Sequence, residues 1–93
     1  MKASCPIEKS AKLLSDPWTM LIVRDVLKNP QRFCELERSL VGISTRTLTA
    51  KLKNLESQNI LRKARDGSYT PTAKGKALRT IEQAMEAYGK KYL

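Results

Sequence analysis

A chain of 93 residues makes one domain, spanning 1–93, and 18 lysines and arginines against 9 aspartates and glutamates give it a formal charge of +9. That balance points to nucleic acid or an anionic membrane surface, but no run approaches the ~20 apolar residues of a transmembrane helix and no apolar leader core follows Met1-Lys2, so a cytoplasmic protein with no membrane partner is expected. Two cysteines and no histidine exclude a zinc finger within one subunit; with no Gly-rich phosphate loop and carboxylates scattered among bases, neither enzymatic chemistry, a metal nor a cofactor is expected.

Pro6 suits the first position of a helix that should turn Ile7, Ala11 and Leu14 inward. Asp16-Pro17 supplies a cap and a first-turn proline for a second helix through about Leu27. This segment is nearly all apolar (Trp18, Met20, Leu21, Ile22, Val23, Val26, Leu27) and must form the core. Asn29-Pro30 ends it. A third helix, near Arg32 to Leu40, should bury Phe33, Leu36 and Leu40, with Cys34 a partly buried packing residue beside that seam. The Val41-Gly42 turn then leads to a fourth helix capped by Ser44, and the third and fourth together form a helix-turn-helix.

The fourth helix has an apolar seam at Leu48, Leu52 and Leu55, spaced i, i+4, i+7. At about 100° per residue the opposite side carries Arg46, Thr49, Ala50, Lys53 and Ser57, flanked by Thr47 and Asn54. Arginine can pair bidentately with guanine, and threonine can meet a thymine methyl or a phosphate oxygen. Asn59 closes the helix; Ile60 to Arg65 reads as a strand, Asp66-Gly67 as a two-residue turn and Ser68-Tyr69-Thr70 as the returning strand. From Ser44 to Arg65 six basic residues face one acid, Glu56. The candidate DNA-binding set is therefore Arg32, Ser44, Thr45, Arg46, Thr47, Thr49, Lys51, Lys53, Arg62, Lys63 and Arg65. An architectural binder without sequence preference would share this charge, and a protein-interaction winged helix could use Arg46 and Lys53 on an acidic partner.

Thr72 caps a last helix of about twenty residues, roughly 30 Å long, with Ala77, Leu78, Ile81, Met85, Tyr88 and Tyr92 along one stripe. A domain this small cannot cover that stripe alone. Together with Ile7 and Ala11, the residues Leu78, Ile81, Met85, Tyr88 and Tyr92 form the expected homodimer interface.

Several linked motifs resemble the HxlR-type winged-helix transcriptional regulators: Cys5-Pro6-Ile7-Glu8, Trp18 through Asp25, Arg32-Phe33-Cys34-Glu35-Leu36, Gly42-Ile43-Ser44, Leu48-Thr49, Leu52-Lys53, Leu55-Glu56, Tyr69, and Thr72 through Gly75. The match covers almost the whole chain. It implies an α+β, mainly α fold: a winged helix-turn-helix with a short two-stranded wing and a long C-terminal dimerisation helix. It also implies a dimeric repressor or activator on double-stranded operator DNA, with the Ser44 helix in the major groove. Three positions depart from the family pattern. The wing turns at Asp66-Gly67 without the usual longer Pro-containing segment, Ala50 stands where Gln is frequent, and Pro17 where Lys or Arg is frequent. Thiol-sensing members use the cysteine of the Cys-Pro motif, which makes Cys5 the redox-sensing candidate; Lys2, Lys9 and Lys12 lie close enough in sequence to favour its thiolate. A small-molecule or oxidant effector is thus compatible with the chain.

Overall fold

The computed structural model describes residues 5–93. Along the chain run α1 (Pro6–Leu13), α2 (Pro17–Lys28), α3 (Phe33–Ser39), α4 (Thr45–Ser57), β1 (Leu61–Lys63), β2 (Tyr69–Pro71), α5 (Ala73–Lys76) and α6 (Arg79–Tyr92). This is the mainly helical winged helix-turn-helix that the sequence implies. Local signals start and stop the helices where expected. Pro6 lies in the first turn of α1, and Asp16 caps α2 by accepting the Thr19 amide at 3.0 Å.

The core gathers around α2. Ile22, Val23 and Val26 pack with Leu36 of α3, Leu40, Leu48, Leu52 and Leu55 of α4, and Ile60, Leu61, Tyr69 and Leu78, all buried. A polar contact adds direction to this apolar one. Asp25, 7% exposed, accepts the Ser39 hydroxyl at 2.7 Å and the Arg24 Nε at 2.9 Å. A buried carboxylate requires such donors, so the α2–α3 angle is fixed by hydrogen bonds as well as by shape.

Between α4 and the wing the chain reverses through Asn59, whose φ of 60° lies in the left-handed region. The Asn59 amide donates to Glu56 O and the Ile60 amide to Leu55 O, both at 2.9 Å. That is a Schellman closure with Leu55 and Ile60 packed in the core, and it aims β1 away from α4 at a set angle. The hairpin register is Leu61↔Pro71, Arg62↔Thr70 and Lys63↔Tyr69. The expected two-residue turn is instead a three-residue loop, Arg65 to Gly67: the Ala64 amide donates to Ser68 O at 2.7 Å, the Gly67 amide to Ala64 O at 3.0 Å, and Gly67 takes φ 87°. Ser68 lies before the returning strand because its amide and hydroxyl both bond the Asp66 carboxylate. Gln31 adds a one-residue third strand by exchanging both backbone bonds with Tyr69.

Two expectations about the outer helices are corrected. Thr72 does cap a helix, its hydroxyl accepting the Gly75 amide at 3.1 Å, but α5 lasts only four residues. The Leu78 amide closes a tight turn onto Gly75 O at 3.0 Å, and Leu78, 8% exposed, plugs into the core. The single long helix is therefore broken at Ala77-Leu78, and Leu78 belongs to the chain's own core rather than to an interface. Ile81 likewise packs against that core. In the opposite sense, Ile7 (81% exposed) and Ala11 face outward, and only Leu14 packs inward; an eight-residue α1 with no buried residue gives them nothing to cover.

Candidate nucleic-acid interface

The candidate reading helix α4 is set by its first turn. Ser44 Oγ accepts the Thr47 amide at 3.0 Å and also donates to Thr47 Oγ1 at 2.9 Å, while Thr45 Oγ1 donates to Glu37 Oε2 of α3 at 2.7 Å. Thr49 bonds back to Thr45 O at 2.8 Å. The Thr45 hydroxyl ties α4 to α3, and the Ser44, Thr47 and Thr49 bonds stay within the first turns of α4. Leu48, Leu52 and Leu55 are buried as expected, and Arg46, Ala50, Lys53, Asn54 and Ser57 are exposed on the far side. Arg46 and Lys53 make no ion pair among the described residues.

The wing presents Arg62, Lys63 and Arg65, all exposed. The Lys63 ammonium lies over the Tyr69 ring, 5.7 Å from its centroid, so a cation–π contact holds it against the hairpin. At the tip, Asp66 is held below the usual carboxylate range by hydrogen bonds from the Ser68 hydroxyl and amide, with a smaller contribution from the Arg32 charge. Arg32 approaches from the start of α3 to 4.0 Å from Asp66, which joins the α3 N-terminus to the wing tip. The cationic surface thus runs from Arg32 through the wing, with Arg46 and Lys53 on α4.

Lys51 is paired within the chain. Its ammonium is 2.7 Å from Asp16 Oδ2, and both side chains are about two-thirds covered. Sequence reasoning also missed Gln31, whose side-chain amide lies within hydrogen-bond distance of the Asp25 and Asn29 carbonyls while its backbone pairs with the wing. Neither contact has a local signature. Lys51–Asp16 and the Gln31–Tyr69 backbone pairing both join residues far apart in sequence.

The HxlR-like helix-turn-helix family profile matches residues 13–93. The chain belongs to this family. It is therefore an HTH-type transcriptional regulator and not an enzyme. Among its relatives, the HTH-type transcriptional regulator YvaP of Bacillus subtilis is 40% identical over 83% of this chain and 78% of its own length. The regulator sll1512 of Synechocystis is 33% identical over 96% and 70% respectively. The crystal structure of quinone-bound YodB from Bacillus subtilis superposes with a TM-score of 0.85 at 34% identity, covering 95% of this chain and 99% of that one.

Away from the cationic face, the HxlR fold leaves a continuous apolar surface. One groove is lined by Pro6, Ile7, Ala11, Leu14 and Ile81 with Ser10, and a second by Leu14, Pro17, Met20, Leu21 and Met85 with Ser15 and Asp16 at its edge. Met85, Tyr88 and Tyr92 remain 52%, 60% and 63% exposed, and the two tyrosine rings meet in a tilted pair, centroids 5.0 Å apart. Beside them Glu82 is pushed above the usual carboxylate range by burial, which outweighs the opposing pull of Arg24. Cys5 is an exposed thiol at the N-cap of α1 and lines a shallow recess with Ile7, Glu8, Ala11 and Lys12. Lys2, also expected near that thiol, lies outside the described residues. Cys34 is exposed on α3, not half-buried: the neighbouring Phe33 and Leu36 point to the core and leave its side chain on the outer face. No helix among the described residues is long and apolar enough to cross a membrane.

Proposed function

We propose that the chain acts as a homodimer that recognises operator DNA by sequence, inserting α4 into the major groove while the wing contacts the adjoining backbone. The observation that carries the reading is the pairing of an exposed Arg46–Lys53–Asn54 face with a firmly capped, core-anchored helix. Base-reading side chains need a rigid support, and α4 has a Ser44 cap at one end and a Schellman closure at the other. The dimer follows from the exposed apolar stripe of α1 and α6, because two half-sites one helical turn apart, ~34 Å, demand two heads in fixed relation. The exposed Cys5 beside that stripe makes the dimer responsive to oxidants or electrophiles, a reading supported by the relative YodB having been crystallised quinone-bound, reduced and diamide-treated.

The test is a titration of the protein on its own upstream DNA against scrambled duplex at fixed near-physiological salt. Operator should win by ~10³ or more. Arg46→Ala should cost about 1–3 kcal/mol on operator and relax the preference, whereas Lys63→Ala and Arg65→Ala should weaken every duplex alike. Equal affinity of the wild type for both duplexes would leave an architectural binder. Operator binding indifferent to Arg46 would remove α4 as the reader.

A further inference from the structure

We propose that Lys51 is a positioning residue that fixes the angle of the reading helix through Asp16, and that it does not contact DNA. The inference rests on the operator-binding reading and refines it.

Helical geometry separates Lys51 from the reading face. It lies about 140° around α4 from Arg46 and only about 40° from the buried Leu55, whereas Lys53 falls within about 20° of Arg46. The contact it makes is specific. Asp16 Oδ1 accepts the Thr19 amide at 3.0 Å, and Oδ2 accepts both the Thr19 hydroxyl at 2.8 Å and the Lys51 ammonium at 2.7 Å. Burial works to raise the Asp16 pKa, yet the hydrogen bonds from Lys51 and Thr19 prevail and hold it below the usual aspartate value. The carboxylate therefore stays charged and fully used at neutral pH. Turning Lys51 outward to a phosphate would leave that largely covered carboxylate without its counter-ion.

Asp16 is also where two surfaces meet. It caps α2, and with Leu14, Pro17, Met20, Leu21 and Met85 it walls a groove beside the α1–α6 stripe through which the chain is proposed to dimerise. The Lys51–Asp16 bond thus bridges 35 residues of sequence and ties the middle of the reading helix to the rim of the dimer layer. A rotation of α2 at that rim is transmitted to α4 through this bond as well as through the core leucines.

Salt dependence separates the two roles. A lysine on a phosphate releases a counter-ion on binding, so its loss lowers the slope of log K against log salt by about 1; a positioning lysine leaves the slope alone. Binding of wild type, Lys51→Met, Lys53→Met, Asp16→Asn, Lys51→Arg and the Asp16→Asn/Lys51→Met double variant is measured on operator and scrambled duplex across a salt series. Lys53→Met should lower the slope by about 1. Lys51→Met should keep the wild-type slope while its operator preference falls between about two- and thirtyfold. Asp16→Asn, which retains an acceptor for the Thr19 amide, should reproduce that fall; the double variant should be no worse than either single, and Lys51→Arg should restore the preference. Lys51→Gln replaces Lys51→Met should the latter not fold. A slope lowered by about 1 in Lys51→Met would overturn the proposal in favour of a phosphate contact, and an unchanged preference in Lys51→Met or Asp16→Asn would overturn it outright. Should wild type itself show no operator preference, the operator-binding reading fails, not the assignment of Lys51 within it.

Discussion

Gly75 shows how closely single residues set this fold. It is buried in α5 with the Ile60 carbonyl against it, and a Cβ built there would overlap that oxygen and touch the Ile60 side chain. The carbonyl is already engaged by the Thr72 amide at 3.0 Å, so it cannot move aside without loosening the joint between the wing and α5. Gly75→Ala is therefore expected to destabilise by about 1–3 kcal/mol, despite the better helix propensity of alanine. The measurement is the denaturant midpoint. A gain in stability would show that the joint yields. Gly89 is the matched control: a methyl group there would meet nothing within 4 Å, so Gly89→Ala should stabilise α6.

Elements were legible from the sequence where their signals are local, and obscure where they are not. Pro6, Asp16-Pro17, Ser44 and Asn59 each mark a boundary within a residue or two, because capping and left-handed closure depend on a few neighbours. The outward face of α4 was readable for the same reason: its period places Arg46 opposite Leu55. The break at Ala77-Leu78 was not, since Ala77, Leu78 and Ile81 fit a helical stripe and only the core reveals that Leu78 is used inside the chain. Lys51–Asp16 and Gln31–Tyr69 were equally hidden, as side-chain and strand pairings made at a distance. With Ile7 and Ala11 turned outward, α1 has no fully buried residue and meets the core only through Leu13 at its end, so few contacts in the single chain hold it. A modification at its N-cap should then act by shifting α1. Mild oxidant is expected to change operator affinity of wild type and leave Cys5→Ser unaffected, with Cys34→Ser behaving as wild type. Unchanged binding with Cys5 confirmed by mass as modified would exclude redox control; a response carried by Cys34 would move it to α3.

On the scale of the whole molecule, the cationic and apolar surfaces belong to different parts of the chain, and the split determines how dimerisation can be tested. Removing the chain from Ile81 onward would also strip Ile81 from the core, so a failure of such a truncation would not distinguish misfolding from lost association. Met85 and Tyr88 avoid this. They are 52% and 60% exposed, lie one turn apart on α6, and neither belongs to the buried cluster. Fully burying a side chain of this size contributes about 1.5–3 kcal/mol, and in a symmetric pair each position counts twice. The Met85→Glu/Tyr88→Glu double variant keeps good helix formers on α6 and places four like charges at the seam. It should fold with the wild-type helix content, sediment as a monomer at micromolar concentration where wild type is a dimer, and hold a single half-site weakly while losing the cooperative gain on the full operator. Wild type sedimenting as a monomer, or the variant remaining a dimer, would move the interface off α6 and leave the exposed stripe for another occupant.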